Sequence, residues 1–264
     1  MQDINGKKIS ELLTAILEEY IINVNEEFRH LWNSWVININ HKEIHEVIGG
    51  IIARQISLAT HFIISTNNWT NEIAPIILRS MADNYINFSW ILKDPHERVK
   101  KFIAYGLGQE KLIMEHRKNQ AKEDGIDIEN APTINESKKW IDKQQYDFLT
   151  TVNIANWAGI SVYKMAEEAE CKDFYNYVYL PFSVAVHNMW NHIGKHNVRM
   201  SDNPLHKFLL IPTINEPTIS INSPILAAKY VDICLEKFHK QFNIDRHKTI
   251  AYIILYDKYN DLLT

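Results

Sequence analysis

The chain has 264 residues, of which 46% are hydrophobic and 23% are charged, and its formal net charge at pH 7 is −4. A disordered chain would have fewer apolar residues, and a collagen-like chain would have far more than 8 Gly and 8 Pro, so both classes are excluded. Two cysteines are too few for a disulfide framework, and we therefore expect a globular protein of the reducing cytoplasm.

The first residues, MQDINGKKISELL, are polar and have neither the basic region nor the apolar region of a signal peptide. Polar residues interrupt every apolar run well before the length of about 20 residues that crosses a bilayer. These features predict a soluble protein without membrane contact. The mild acidity disfavours nucleic-acid binding by the surface as a whole, although a local basic patch can be hidden in that average.

Helical periodicity begins near the N-terminus. Apolar residues recur at spacings of three and four over residues 8–24, which predicts an amphipathic helix. The same pattern over residues 43–65 predicts a second helix, and this one contains Gly49 and Gly50. Each Gly costs about 1 kcal/mol relative to Ala inside a helix, so a close helix contact or a kink is expected there.

The third and fourth helices have recognisable start signals. Thr70 can cap a helix that extends to residue 92, with Pro75 delaying its true start. Asp94-Pro95-His96-Glu97 supplies an N-cap oxygen, a proline at the first helical position and a glutamate three residues after the cap. This signal predicts a long helix to about residue 120, followed by a polar surface loop over 125–133.

The rest of the chain is also mainly helical in pattern. Pro212 and Pro217 punctuate residues 205–221, whose short β-branched runs predict an extended excursion or a small β-hairpin. Further helices are predicted over 136–149, 161–170, 173–193 with a stop at Gly194, 223–242 and 246–263. The sequence therefore predicts an all-α multi-helix bundle of nine or ten helices with a small insertion, forming a single domain over 1–264.

A polar stripe is expected in the helix over 173–193. Tyr179, Ser183 and His187 are spaced i, i+4 and i+8, which places them on one face of a regular helix. In a functional interpretation, His187 is a general acid or base, while Ser183 or Tyr179 orients it or contacts a phosphate. In the alternative interpretation, the three residues form a buried hydrogen-bonded network that fixes the helix register.

Arg79 and Asp83 form a second i, i+4 pair on a helix rich in isoleucine and aromatic residues. If Arg79 faced His187, the cation could stabilise developing negative charge while the imidazole moved a proton, as in metal-independent RNA cleavage. The alternative is an Arg79–Asp83 ion pair that ties helices together.

Four motifs occur in order between residues 79 and 187. They are Arg79-Ser80 with Asp83, Asp94-Pro95 with Arg98, Trp157-Ala158-Gly159 with Met165-Ala166-Glu167-Glu168, and Tyr179, Ser183 and His187. In their pattern and spacing they resemble a mostly bacterial helical family, the domain of unknown function 5677. The resemblance covers about residues 45–200, on which the C-terminal helices 224–263 are expected to pack. Asp83 departs from the family pattern, in which a glutamate usually follows the arginine.

The family is in outline similar to the helical HEPN domains, several of which are RNases or toxins of bacterial defence with an arginine followed closely by a histidine. Arg54 and His61 satisfy that spacing and form a second candidate catalytic pair, and Arg199 and His206 satisfy it as well. In a chain with 12 histidines such spacings also arise by chance.

A basic stretch follows the polar stripe. Between residues 187 and 207 the chain contains Lys195, His196 and Arg199, which we identify as candidate substrate-binding residues, against the single acid Asp202. The alternative is a solvated helix end whose cations complement the helix dipole. His192 and His196 could face a metal together, but no carboxylate follows at ligand spacing, so we expect neither a metal nor another cofactor.

The resemblance implies an HEPN-like bacterial effector, a metal-independent RNase or a nucleotide-binding toxin of phage defence or stress response. The alternative is a non-catalytic helical module that binds or regulates a partner in such a system. Expected partners are RNA or a nucleotide, or a protein of a defence system. A homo-oligomer is also expected, with the apolar helix that begins near Lys8 as the first candidate surface.

Overall fold

The computed structural model describes residues 2–128, 131–144, 157–246 and 251–263. In this part of the chain the protein is an all-α bundle with one small two-stranded sheet, as predicted. It has ten helices when the continuous segment 172–186 is counted as one. The α-helices are α1 (Gln2–Ser34), α2 (Lys42–Ile63), α3 (Ala74–Lys93), α4 (Pro95–Glu123), α5 (Pro132–Asp142), α6 (Val162–Glu168), α7 (Lys172–Phe174), α8 (Leu180–Val186), α9 (Trp190–His196), α10 (Asn222–Phe242) and α11 (Ala251–Leu263).

The core lies where α2, α3 and α10 pack against one another. The α1 helix is longer than its predicted 8–24, and it packs on α11 and α2. The buried residues of α1 include Ile16, Leu17, Tyr20, Val24 and Leu31. Much of the apolar face of α1 is therefore covered within the chain, while Leu12 and Ile22 remain 49% and 57% exposed. The association surface predicted on this helix stays a prediction.

The predicted helix over 173–193 is interrupted twice. Residues Tyr175–Tyr179 form a π-helical turn between α7 and α8, directly before Pro181. Proline has no N–H to donate and clashes with the carbonyl four residues back, so the widened turn avoids that contact. At Asn188 the backbone enters the left-handed region (φ 51°), which ends α8 before α9 begins. The α9 helix then passes through Gly194, so the predicted stop there is wrong.

The small sheet is also displaced from its predicted position. Strand β2 (Leu210–Pro212) lies inside the predicted insertion 205–221, but its antiparallel partner β1 (Val198–Met200) precedes that range. The basic composition of this stretch concealed the strand, because Arg199 lies in the middle of β1. The parts of the predicted helices 136–149 and 246–263 that fall at 145–149 and 247–250 lie outside the described residues.

The described helices include none that is long and apolar enough to cross a membrane. The start of α4 agrees closely with its sequence signal, because the Asp94 carboxylate accepts a hydrogen bond from the backbone N–H of Glu97 and Pro95 occupies the first turn. The start of α3 is delayed to Ala74, as Pro75 suggested, and the Thr70 hydroxyl accepts a hydrogen bond from the Ile73 N–H.

The glycine pair of α2 has two different environments. A Cβ atom at Gly49 would lie 2.6 Å from a ring carbon of Trp32 on α1, closer than real Cβ contacts allow. The same atom at Gly50 would have open space around it. The close helix contact expected from the sequence therefore exists at Gly49 alone.

This contrast predicts opposite effects of two alanine substitutions. Gly50→Ala should stabilise the protein by about 1 kcal/mol, because it improves helix propensity without a steric cost. Gly49→Ala forces Trp32 to move and should be less stable than Gly50→Ala by about 1–3 kcal/mol. Chemical denaturation of the two variants measures the difference, and equal unfolding midpoints would contradict the proposed contact.

Candidate functional site

Arg79 projects from α3 toward the segment that contains α8. Its Nε donates a hydrogen bond to the Ser183 hydroxyl at 2.6 Å, and its Nη1 donates to the Asp83 carboxylate one turn along α3. The guanidinium carbon lies 3.3 Å from the centroid of the Tyr179 ring, in a cation–π arrangement. The fold thus brings together four of the five residues of the principal predicted site.

The Ser183 hydroxyl takes part in two hydrogen bonds, one as acceptor and one as donor. It accepts from Arg79, and it donates to the backbone carbonyl of Tyr179 at 2.7 Å. A serine hydroxyl has one proton to donate, and here that proton is already in the hydrogen bond to the Tyr179 carbonyl. Ser183 therefore positions the guanidinium and is not a free nucleophile.

Tyr179 covers the guanidinium from the outer side. Its ring stacks on that of Tyr175 with centroids 4.7 Å apart, and both residues belong to the π-helical turn. Burial and the nearby negative charge of Asp83 raise the pKa of Tyr179 to about 12, partly opposed by Arg79. The phenol therefore remains neutral at physiological pH.

Asp83 and His187 form the open edge of this cluster. Only 7% of Arg79 is exposed, whereas 42% of the Asp83 side chain is accessible to solvent and His187 is exposed at the C-cap of α8. Burial raises the pKa of Asp83, while the positive charges of Arg79 and His187 oppose that rise. The cluster is thus buried at Arg79 and exposed to solvent at His187.

A second cluster forms around Trp90, where α3, α4 and α6 meet. Arg98 on α4 donates to the Trp90 carbonyl at 2.7 Å, and its guanidinium carbon lies 3.9 Å from the centroid of the Trp90 ring. The Glu168 carboxylate accepts from the indole N–H of Trp90 at 2.7 Å and pairs with Arg98 at 3.2 Å. The ring of Trp157 meets that of Trp90 edge-on at 5.2 Å.

This cluster joins the motifs that carry the family resemblance. Arg98 comes from the Asp-Pro-x-x-Arg motif, Trp157 from the Trp-small-Gly motif and Glu168 from the Met-Ala-Glu-Glu motif, whose Met165 and Ala166 are buried beside Trp90. The sequence analysis quoted these motifs but gave them no site role. Their common feature is contact with Trp90, which lies outside all of them and carries no local signal of that role.

A family model for a family of unknown function, DUF5677, matches residues 45–204, which is more than half of the chain. The chain belongs to the DUF5677 family. No curated protein matches it, and no solved structure matches it either. Both clusters lie within the matched segment 45–204. In each of them, residues of the shared motifs contact α3.

The other predicted residues of this DUF5677 chain do not join the Arg79 cluster. Arg54 and His61 are exposed along α2. Arg199 pairs with Asp202 at 2.5 Å, and the His206 ring lies within hydrogen-bonding distance of Ser201. Arg199 and His206 therefore lie in the hairpin and not on a helix.

The remaining basic residues lie on and after α9. Lys195 and His196 are in the last turn of α9, where cations complement the helix dipole. His192 is 3.1 Å from the Glu72 carboxylate, and its ring centroid is 4.7 Å from that of His196. In the described part of the chain, no group of three His, Cys, Asp or Glu side chains is placed to hold a metal ion.

Because Arg79 is buried and His187 is exposed, their substitution should change the free energy of unfolding by different amounts. Arg79→Ala should cost about 2 kcal/mol or more, because it leaves the Asp83 carboxylate and the Ser183 hydroxyl without their buried partner. His187→Ala and the exposed control Arg54→Ala should each change the free energy of unfolding by about 0.5 kcal/mol or less. Urea unfolding measures all three, and a cost at His187 equal to that at Arg79 would contradict the arrangement.

Glu168 and its neighbour Glu167 provide a second matched test. Glu168→Ala removes the acceptor of the buried Trp90 indole N–H and should cost about 1–3 kcal/mol. Glu167 pairs at the surface with Lys164, so Glu167→Ala should change stability by less than about 1 kcal/mol. The check is thermal unfolding of both variants, and the structural role of Glu168 is rejected if their melting temperatures coincide.

Proposed function

We propose that this DUF5677 protein is a non-catalytic helical module that binds or regulates a partner, in a bacterial defence or stress system of the cytoplasm. The observation that carries the proposal is the burial of Arg79. A catalytic arginine must place N–H groups on the substrate, and here the accessible fraction is only 7%. Its Nε and Nη1 donate to Ser183 and Asp83, and the Tyr179 ring lies against the guanidinium.

The same cluster has a clear structural task. Tyr179 and Ser183 are 100 residues or more away from Arg79 in the sequence, and their contacts with it fix α8 on α3. A buried hydrogen-bonded cation of this type specifies one arrangement of the helices, because any other arrangement would leave the charge without partners. This proposal adopts the alternative in which the polar stripe is a buried hydrogen-bonded network that fixes the position of the helix.

An exposed surface next to the cluster supports the binding part of the proposal. Val186, His187, Met189 and Trp190 are all exposed where α8 turns into α9. Exposed tryptophan, methionine and histidine side chains in one short segment are typical of a surface that contacts a protein partner. The partner that we propose is therefore a protein, which would cover the open edge formed by His187 and Asp83.

A second candidate function is metal-independent RNA cleavage, as the likeness to HEPN domains implies. One observation favours it: His187 and Asp83 are both accessible to a solute, and the charge of His187 acts on the Asp83 carboxyl. In this candidate, Lys195, His196 and Arg199 bind the RNA or nucleotide, and Arg79 acts only by orienting Asp83.

One experiment separates the two candidates. The purified chain is incubated with total RNA and with tRNA, in the presence and absence of a chelator, beside His187→Ala. We expect no cleavage by the wild type under any of these conditions, since the buried Arg79 cannot contact a phosphate. Circular dichroism of the variant serves as the folding control.

Cleavage that resists the chelator and is lost in a folded His187→Ala variant would reject the non-catalytic proposal in favour of the second candidate. Anisotropy of labelled tRNA adds an independent measurement, in which Lys195→Ala with Arg199→Ala is compared with Lys100→Ala with Lys118→Ala, two lysines of α4 distant in sequence from the basic stretch. The binding-module proposal expects the two double variants to behave alike.

A further inference from the structure

The hairpin that follows α9 forms an arm, which we define as residues 198–219. Strands β1 and β2 pair with each other in the register Arg199 to Ile211. The arm rejoins the helical body at its C-terminal end, where Thr70 and Ile219 form an isolated antiparallel bridge. Next to that bridge, the Ser220 N–H donates to the Trp69 carbonyl at 2.8 Å. The arm thus continues from α9 at its N-terminal end and is attached to the helical body at its C-terminal end.

Between these ends the arm exposes apolar side chains. Leu205 is 90% exposed, Phe208 85% and Ile214 100%, so the helical body does not cover them. Met200, Leu209, Leu210 and Ile219 are exposed as well. Exposed single leucines are normal on a protein surface, but seven large apolar residues within one 22-residue hairpin are not.

The area of this surface matches what a stable dimer requires. Side chains of this size can each bury on the order of 150 Å², so these seven residues, which are 40% to 100% exposed, offer roughly 700–900 Å². A standard specific interface buries about 800 Å² on each partner. The exposed apolar surface of the arm is therefore similar in area to one side of such an interface.

The backbone at Phe208 supports a role in association. Its φ is 62°, in the left-handed region that bulky aromatic residues rarely adopt. This strained conformation presents the ring to solvent, where it makes little packing contact within its own chain. A partner that buries the ring would compensate for the strain.

The charges of the arm favour a second copy of this chain over a polyanion. Arg199 and Lys207 are balanced by Asp202 and Glu216, so the arm has no net charge when its histidine is neutral. A nucleic-acid surface would need an excess of cations. A neutral apolar arm can instead pack against an identical arm without net repulsion, in an isologous two-fold interface.

We propose that the arm, residues 198–219, is the homodimerisation surface of this protein and that its occupant is the arm of a second copy. Leu205, Phe208 and Ile214 are the central contacts, since they are the most exposed of the seven. The arm is preferred to α1, much of whose apolar face packs on α11 and α2. This inference is independent of whether the module is catalytic.

Sedimentation velocity of the full chain tests the proposal over a concentration range of about 1 to 100 µM. The wild type should sediment with the mass of two chains. Phe208→Asp and Ile214→Asp should raise the dimer dissociation constant by about tenfold or more, because each places a charge in an apolar contact. Phe208→Gly should also weaken the dimer while it relieves the backbone strain at this position.

Val36→Asp and Ile39→Asp are the matched controls, since both residues are apolar and as exposed as the arm residues but lie between α1 and α2. These controls should remain dimeric, and all five variants should have the wild-type circular dichroism spectrum. A wild type that is monomeric throughout the range overturns the proposal and leaves the arm to a different partner. Arm variants with unchanged mass, or dissociation caused by the controls alone, overturn it as well.

Discussion

A guanidinium that has been taken out of water is stable only if its donors find acceptors and its charge finds a counter-charge. Arg79 meets this condition through Ser183, Asp83 and the face of Tyr179. The acceptors come from two parts of the chain, α3 itself and the segment with the π-helical turn and α8. Packing of this segment onto α3 is therefore tied to the satisfaction of one buried cation, whereas α10 is held separately by its own packing on α2 and α3.

The second cluster fixes the C-terminal end of α3 by similar physics. Trp90 is buried, and its indole N–H therefore needs an acceptor. Glu168 is that acceptor and also pairs with Arg98. Two arginines, each stacked on an aromatic ring and each paired with a carboxylate, thus hold α4, α6 and α8 around a common helix. The motifs that relate this chain to the DUF5677 family are largely the parts of these two clusters, which explains why a family can be recognised from motifs that have a structural role.

The exposed features follow from the same framework. α8 is held on α3 and ends at Val186, and the chain then turns at Asn188 into α9 and the arm, which carry exposed apolar residues. His187 lies at the junction between the closed cluster and this exposed part. The proposed partner surface and the proposed dimer arm therefore lie at opposite ends of α9, and the partner surface spans the helix break that separates α8 from α9.

The sequence by itself determined the local architecture. Apolar periodicity predicted α2 and α10 to within two residues at each end, and the Asp94-Pro95 signal located the start of α4, because these features depend only on neighbours within one or two turns. The i, i+4 spacing likewise paired Arg79 with Asp83. The depth of Arg79 and its contacts with Tyr179 and Ser183 were decided only by the tertiary structure, since periodicity shows which face of a helix is apolar but not which helix covers it. The same limit applies to β1, whose pairing with β2 is a contact between strands and whose exposure depends on the packing of the whole bundle.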